Sequence, residues 1–140
     1  MKIYLAAAFA ILLCSCSDDP VSESIIGTWE LQSVEATGCD DPDDNVALTE
    51  VDDNDCIVLD SESICNVFFT FAADGTGTLT FTEDGGTDVE DYTYTTNDDN
   101  DTVLLCDSPS DCQTVSVDGG EFTLTFIDDG CTRKLVYKKA

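Results

Sequence analysis

The chain reads as an all-β protein, an eight-stranded antiparallel up-and-down barrel, with a two-sheet β-sandwich as the alternative. Composition carries part of that reading. From residue 25 onward, runs dominated by Thr, Val, Phe and Tyr alternate with gaps dominated by Gly, Asp and Asn, the residue types of strands and of turns. Periodicity carries the rest. Apolar and polar residues alternate within the runs, as in an antiparallel sheet with one face on a core and the other in water. Eight such strands on short links close as an up-and-down barrel.

GTWELQSVE (27–35) opens the domain. VFFTFA (67–72) sets Val67, Phe69 and Phe71 on one face against Phe68, Thr70 and Ala72. Asp74-Gly75 turns the chain into GTLTFT (77–82), with Leu79 and Phe81 inward and Thr78, Thr80 and Thr82 outward. Gly85-Gly86 breaks the chain before VEDYTYT (89–95), which places Tyr92 and Tyr94 on one face. TVLLC (102–106), QTVSV (113–117), EFTLTFI (121–127) and TRKLVYK (132–138) follow. Asp118-Gly119-Gly120 and Asp129-Gly130 join the last three as tight hairpins. The long gap, residues 37–66, is rich in Asp and carries three cysteines. A loop of that length in a compact domain is usually a lid or hides a helix, and ALTEVDDNDC (47–56) could make one or two helical turns.

Ahead of the domain, Met1-Lys2-Ile3-Tyr4 leads into the unbroken apolar run LAAAFAILL (5–13). Nine helical residues rise about 14 Å against a hydrocarbon layer of roughly 30 Å. The run is therefore an export signal and not a membrane span. It resembles the lipobox of bacterial lipoproteins, in which a cysteine after an aliphatic residue and two small or variable ones becomes the mature N-terminus. Ser15 is the small residue before Cys16, with Leu13 three positions back; Cys14 would follow the bulky Leu13 itself. The resemblance implies a signal peptide over 1–15, lipid on Cys16, a polar tether over 16–24 and the domain over 25–140. Two or more acyl chains hold a protein stably on a membrane. Ser17-Asp18-Asp19 resembles the surface-export signal of lipoproteins in the Bacteroidota. That implies the outer face of the outer membrane, with the periplasmic face as the alternative.

Charge narrows the partners. Thirty acidic side chains stand against five basic ones, with no histidine and a net charge of −25. Lys2 is at the start and Arg133, Lys134, Lys138 and Lys139 at the end, with nothing positive between. Nucleic acid needs clustered Lys and Arg, and an anionic headgroup would repel this surface. So much negative charge favours solubility and resists association.

Setting aside Cys14 and Cys16 leaves Cys39, Cys56, Cys65, Cys106, Cys112 and Cys131. An even number in an exported chain reads as a disulfide framework, whose connectivity the sequence leaves open. Cys106 and Cys112 close a short loop between neighbouring strands and are the favoured pair. At least one of the three cysteines in the long loop must pair outside it, with Cys131 as a candidate. Zinc would want C-x-x-C pairs or histidines, and neither occurs.

Gly27-Thr28-Trp29 on the first strand resembles the Gly-x-Trp motif of lipocalins. Phe71 with Asp74-Gly75-Thr76 resembles a hairpin of lipocalin-like bacterial lipoproteins, and the long first loop is similar to the lipocalin lid. The resemblance covers residues 25–139. It implies a ligand-binding barrel in which Arg133, on the last strand, packs over Trp29 as a cation–π contact at the closed end.

Enzymatic chemistry finds no foothold. Acyl-transfer and acid–base sites most often use histidine, and a cysteine nucleophile would lack its base. Carboxylates are too abundant for any pair to stand out, and the glycine turns have acids beside them that repel phosphate. Asn97, Asp99 and Asp101 have alternate calcium-ligand spacing, but Thr102 and Ser108 stand where an EF-hand needs glycine and glutamate. A looser calcium site within 40–55 or 97–101 is the remaining metal reading. Asp101-Thr102-Val103 also fits a short O-glycosylation acceptor of the Bacteroidota.

The expectation is a non-enzymatic, lipid-anchored, disulfide-stapled barrel without cofactor or metal, holding a small apolar or amphipathic ligand. Its pocket would draw on Phe69, Phe71, Phe81, Tyr92 and Tyr94, and on Phe122, Leu124 and Phe126. The alternative is a surface interaction or structural module whose interior those aromatics fill. Nothing in the sequence specifies the ligand's identity or an oligomeric state.

Overall fold

The alternating runs form strands, and the Gly–Asp gaps form the turns between them. A computed structural model of the chain describes residues 20–59, 62–128 and 130–140. A helical turn, Val21–Ser24, precedes β1 (Gly27–Thr37). After a 3-10 turn at Pro42–Asp44 come β2 (Val46–Glu50), β3 (Cys56–Leu59), β4 (Glu62–Phe71) and β5 (Thr76–Glu83). Then follow β6 (Gly86–Asn97), β7 (Thr102–Ser108), β8 (Asp111–Asp118), β9 (Glu121–Asp128) and β10 (Cys131–Lys139). No helix among the described residues is long and apolar enough to cross a membrane.

Each strand from β4 to β10 pairs antiparallel with the next, and β10 pairs with β1. The ring closes where β1 returns to β4, with Gly27 opposite Phe71, Trp29 opposite Phe69 and Glu30 opposite Phe68. These eight strands are the eight read from the sequence, and they make a closed antiparallel up-and-down barrel. A sandwich would leave two sheets with open edges; the β1–β4 pairing joins the edges instead.

The acidic insertion differs from expectation. Residues 47–56, read as a site for helical turns, contribute β2 and the approach to β3. The cause lies in β1, which pairs with β4 only over its first residues. Beyond that point β1 and β4 diverge, leaving backbone edges that need hydrogen-bond partners. β2 takes the β1 edge, with Ser33 opposite Glu50 and Ala36 opposite Val46. β3 takes the β4 edge, with Ile57 opposite Ile64, and Ile57 is buried beneath them.

The tether expectation also changes at its end. Residues 21–24 form a helical turn with Val21 buried, and Ile25 follows it fully into the core. The backbone N–H and hydroxyl of Ser22 donate to the Asp98 carboxylate at 2.8 and 2.9 Å, fixing the turn to the β6–β7 connection. Trp29 Nε1 donates to the Ile25 carbonyl at 2.7 Å. This end of the barrel is thereby closed. The signal at 1–15 and Cys16 lie outside the described residues.

An aromatic cluster fills the closed half. Trp29 meets Phe122 edge-on at 5.3 Å, and Phe122 stacks on Tyr137 at 4.4 Å. Phe69 stacks on Phe71 at 4.6 Å, and Tyr94 caps Phe71 edge-on. Such rings bring large buried area and a further preference for offset and edge-to-face pairs.

Arg133 does not cover Trp29. The β1–β10 register sets Lys139 opposite Trp29 and Arg133 opposite Ala36. Six residues of strand separate the two cations, about 20 Å. Lys139 takes the position instead, its Nζ 5.6 Å from the Trp29 ring centre and donating to the Ser24 carbonyl at 2.8 Å.

All six described cysteines are joined, as Cys39–Cys131, Cys56–Cys65 and Cys106–Cys112. The last two are direct cross-strand pairs, on β3–β4 and β7–β8. Cys39–Cys131 ties the chain beyond β1 to the start of β10.

Candidate binding cavity

Above the aromatic plug the barrel is hollow. A cavity of about 280 Å³ opens at the end opposite the helical turn. Phe69 and Tyr137, each 1% exposed, form its floor, and both belong equally to the plug below. Phe69 can lie there because Gly77 faces it from β5. A Cβ on Gly77 would sit 3.0 Å from the Phe69 ring, tighter than packing tolerates without movement. Leu79, Leu105, Leu124, Leu135 and Phe126 make the walls, each placed inward by strand alternation.

The polar groups gather on one side. Tyr92 and Glu90 share the inner face of β6, and the Tyr92 hydroxyl donates to Glu90 Oε2 at 2.8 Å. Asp107 and Asp111 bracket the β7–β8 turn at the mouth, with Gln113 below them. The Cys106–Cys112 bridge crosses immediately beneath that turn and pins the segment carrying both acids. Among the described residues no lysine or arginine lines the cavity. Arg133 lies opposite Phe126 in the β9–β10 pairing, outside the lining.

Burial raises the Tyr92 phenol well above the ordinary tyrosine range, helped by its bond to Glu90 and by that carboxylate's charge. Burial does the same to Tyr137. Both therefore stay protonated at neutral pH. Tyr92 is committed to Glu90, whereas the Tyr137 hydroxyl makes no hydrogen bond among the described residues. Tyr137 itself lines the cavity.

Seven of the eight residues expected to line a pocket divide between cavity and plug. Phe69, Tyr92, Leu124 and Phe126 line it. Phe71, Tyr94 and Phe122 belong to the plug, and the Tyr94 hydroxyl is spent on the Ala72 carbonyl of the β4–β5 turn. Phe81, one inward position beyond Leu79, is half-buried and outside the lining. Sequence reasoning missed Glu90, Asp107, Asp111 and Tyr137. The signal for Glu90 was present: it stands two residues before Tyr92 and shares its face.

In the loops read as calcium sites, Asp52 and Asp98 are hydrogen-bonded within the protein. Asp52 accepts from the backbone N–H of Asn54 at 2.8 Å and of Cys56 at 3.0 Å. Those bonds, with Cys56 foremost, hold its carboxyl below the usual range. Asp98 binds Ser22. Among the described residues no group of acid or thiol side chains is placed to hold a metal ion.

Fold and cavity together define a plugged antiparallel barrel with an aromatic interior and acids in the cavity lining. No protein-family model, curated protein or solved structure matches this chain.

Proposed function

We propose that the barrel is a non-enzymatic binding protein that holds one small amphipathic ligand in the cavity between Phe69 and the β7–β8 turn. The supporting observation is the cavity itself: apolar walls and a few convergent polar groups, as in small-molecule sites generally. The resemblance to lipocalins points the same way. Lipidation at Cys16 and placement on the outer membrane, facing outward, complete the proposal and rest on the lipobox-like 13–16 and on Asp18-Asp19. The helical turn begins at Val21, so a tether from Cys16 to Pro20 would reach at most about 18 Å. It enters at the closed end, which would hang the barrel with its mouth away from the membrane.

Native mass spectrometry of the full chain purified from its cells tests ligand binding. A reproducible adduct lost on Leu124→Trp substitution, which fills the cavity, is the expected result. A consistently empty protein supports the alternative, a structural module for which the aromatic plug is enough. Protease added to intact cells should shave the protein from the surface, and full protection would refute outward display.

A further inference from the structure

The lining of the cavity has a sign. Three carboxylates, Glu90, Asp107 and Asp111, share it with aromatic rings, and among the described residues no cationic side chain enters it. The Tyr137 hydroxyl, on a residue 1% exposed that lines the same space, has no hydrogen-bond partner among the described residues. Tyr92 directs its proton to Glu90, so its oxygen lone pairs remain to accept a bond. The unused capacity of the site is therefore mainly acceptor capacity. An anionic ligand would meet three like charges in a molecule of net charge −25. A neutral ligand would use the walls and leave the carboxylates idle.

An organic ammonium matches the acceptors, while the O–H of Tyr137, itself a donor, is left for solvent. Its N–H groups donate to carboxylate and phenol oxygens. Its charge is attracted to aromatic rings, and Tyr92, Tyr137 and Phe126 are in the lining. Its apolar body fills the leucine-lined walls. Size sets the scale: at about 30 Å³ of liquid volume per water, 280 Å³ holds roughly nine waters, or a ligand of about ten non-hydrogen atoms.

We propose, on the footing that the barrel binds a small ligand, that the cavity selects compact organic cations, a primary or substituted ammonium on a small aromatic or aliphatic body. Glu90 and the disulfide-held Asp107 and Asp111 supply the counter-charge, and Tyr137 supplies a polar contact at the floor.

The experiment is calorimetric titration of the full chain, disulfides intact, with three matched probes: phenethylammonium, 2-phenylethanol and phenylacetate. The expected result is at least about tenfold tighter binding of the cation than of the alcohol, with no binding of the acid. That preference should shrink as salt rises. Glu90→Gln, which keeps the shape and a partner for Tyr92, should weaken the cation about tenfold and leave the alcohol unchanged. Tyr137→Phe should weaken the cation and leave melting nearly unchanged. Equal affinity for cation and alcohol, or a preference for the acid, overturns cation selectivity while leaving small-ligand binding in place. If none of the probes binds, and a neutral apolar fluorophore also fails, the small-ligand reading falls with it.

Discussion

Trp29 shows how one residue organises the closed end. Its ring is buried against Phe122, its N–H is bonded to Ile25, and its exposed side is covered by Lys139. Trp29→Ala should lower stability by about 3–5 kcal/mol through lost burial and an unfilled cavity, measured by urea unfolding. Lys139→Met removes a cation–π contact and a bond to the Ser24 carbonyl and should cost about 1–2 kcal/mol. Because the chain has a single tryptophan, its fluorescence reports this contact directly. The spectrum should shift in Lys139→Met and stay unchanged in Arg133→Met; the reverse would restore the arginine expected from the lipocalin resemblance.

The tyrosines give a pH dependence at the same scale. Tyr92, Tyr94 and Tyr137 all have their phenols raised, with burial the leading cause. A raised acid is favoured in its neutral form by the fold. The stabilisation is complete below the ordinary tyrosine value of about 10 and is lost as pH rises past it, where the unfolded chain ionises first. Absorbance titration of the described domain should therefore show no phenolate step near pH 10 while the fold persists. Ionisation should coincide with loss of tertiary circular dichroism. A normal step in folded protein would contradict the burial described.

At the scale of elements, the three disulfides do unequal work. Cys39–Cys131 closes a loop of 92 residues, Cys106–Cys112 one of 6. Loop-closure entropy gives about 4–5 kcal/mol for the first and about 2 for the second. Replacing each pair by alanines should reproduce that order in chemical denaturation. The short bridge has a second consequence, because it holds the turn that carries Asp107 and Asp111. Its removal should loosen ligand binding more than its small stability cost suggests. Equal effects on stability, with binding untouched, would argue against this assignment.

The elements also show where sequence patterns run out. All eight barrel strands were legible, because alternation and Asp-Gly turns are local signals. The face assignments of Phe69, Leu79, Tyr92 and Tyr94 held for the same reason. β2 and β3 were not legible. VALTE and CIVL are short and flanked by acids, and they become strands only because β1 and β4 diverge and offer free edges. The Cys106–Cys112 pair could be read from its spacing; Cys56–Cys65 needed the β3–β4 register.

For the whole molecule, charge is the dominant property. A net charge of −25 on a chain of 140 residues destabilises the compact state by self-repulsion. Melting temperature should therefore rise with added sodium chloride up to and beyond about 0.15 M, as the Debye length falls to roughly 8 Å. A flat response would mean that the charges are too dispersed to matter. The same field would draw small cations toward the mouth, in keeping with the rim acids.

Composition and period specified strands, turns and the inner face, because each depends on a few neighbouring residues. They also specified the even set of cysteines and the acidity of the surface. Closure, register and depth belong to contacts between residues far apart in the chain. Those contacts put Lys139 and not Arg133 over Trp29, drew the helical turn under the barrel, and sent Phe71, Tyr94 and Phe122 into the plug. They also left a hollow above that plug, which Glu90, Asp107 and Asp111, three acids among thirty, line together with Tyr137.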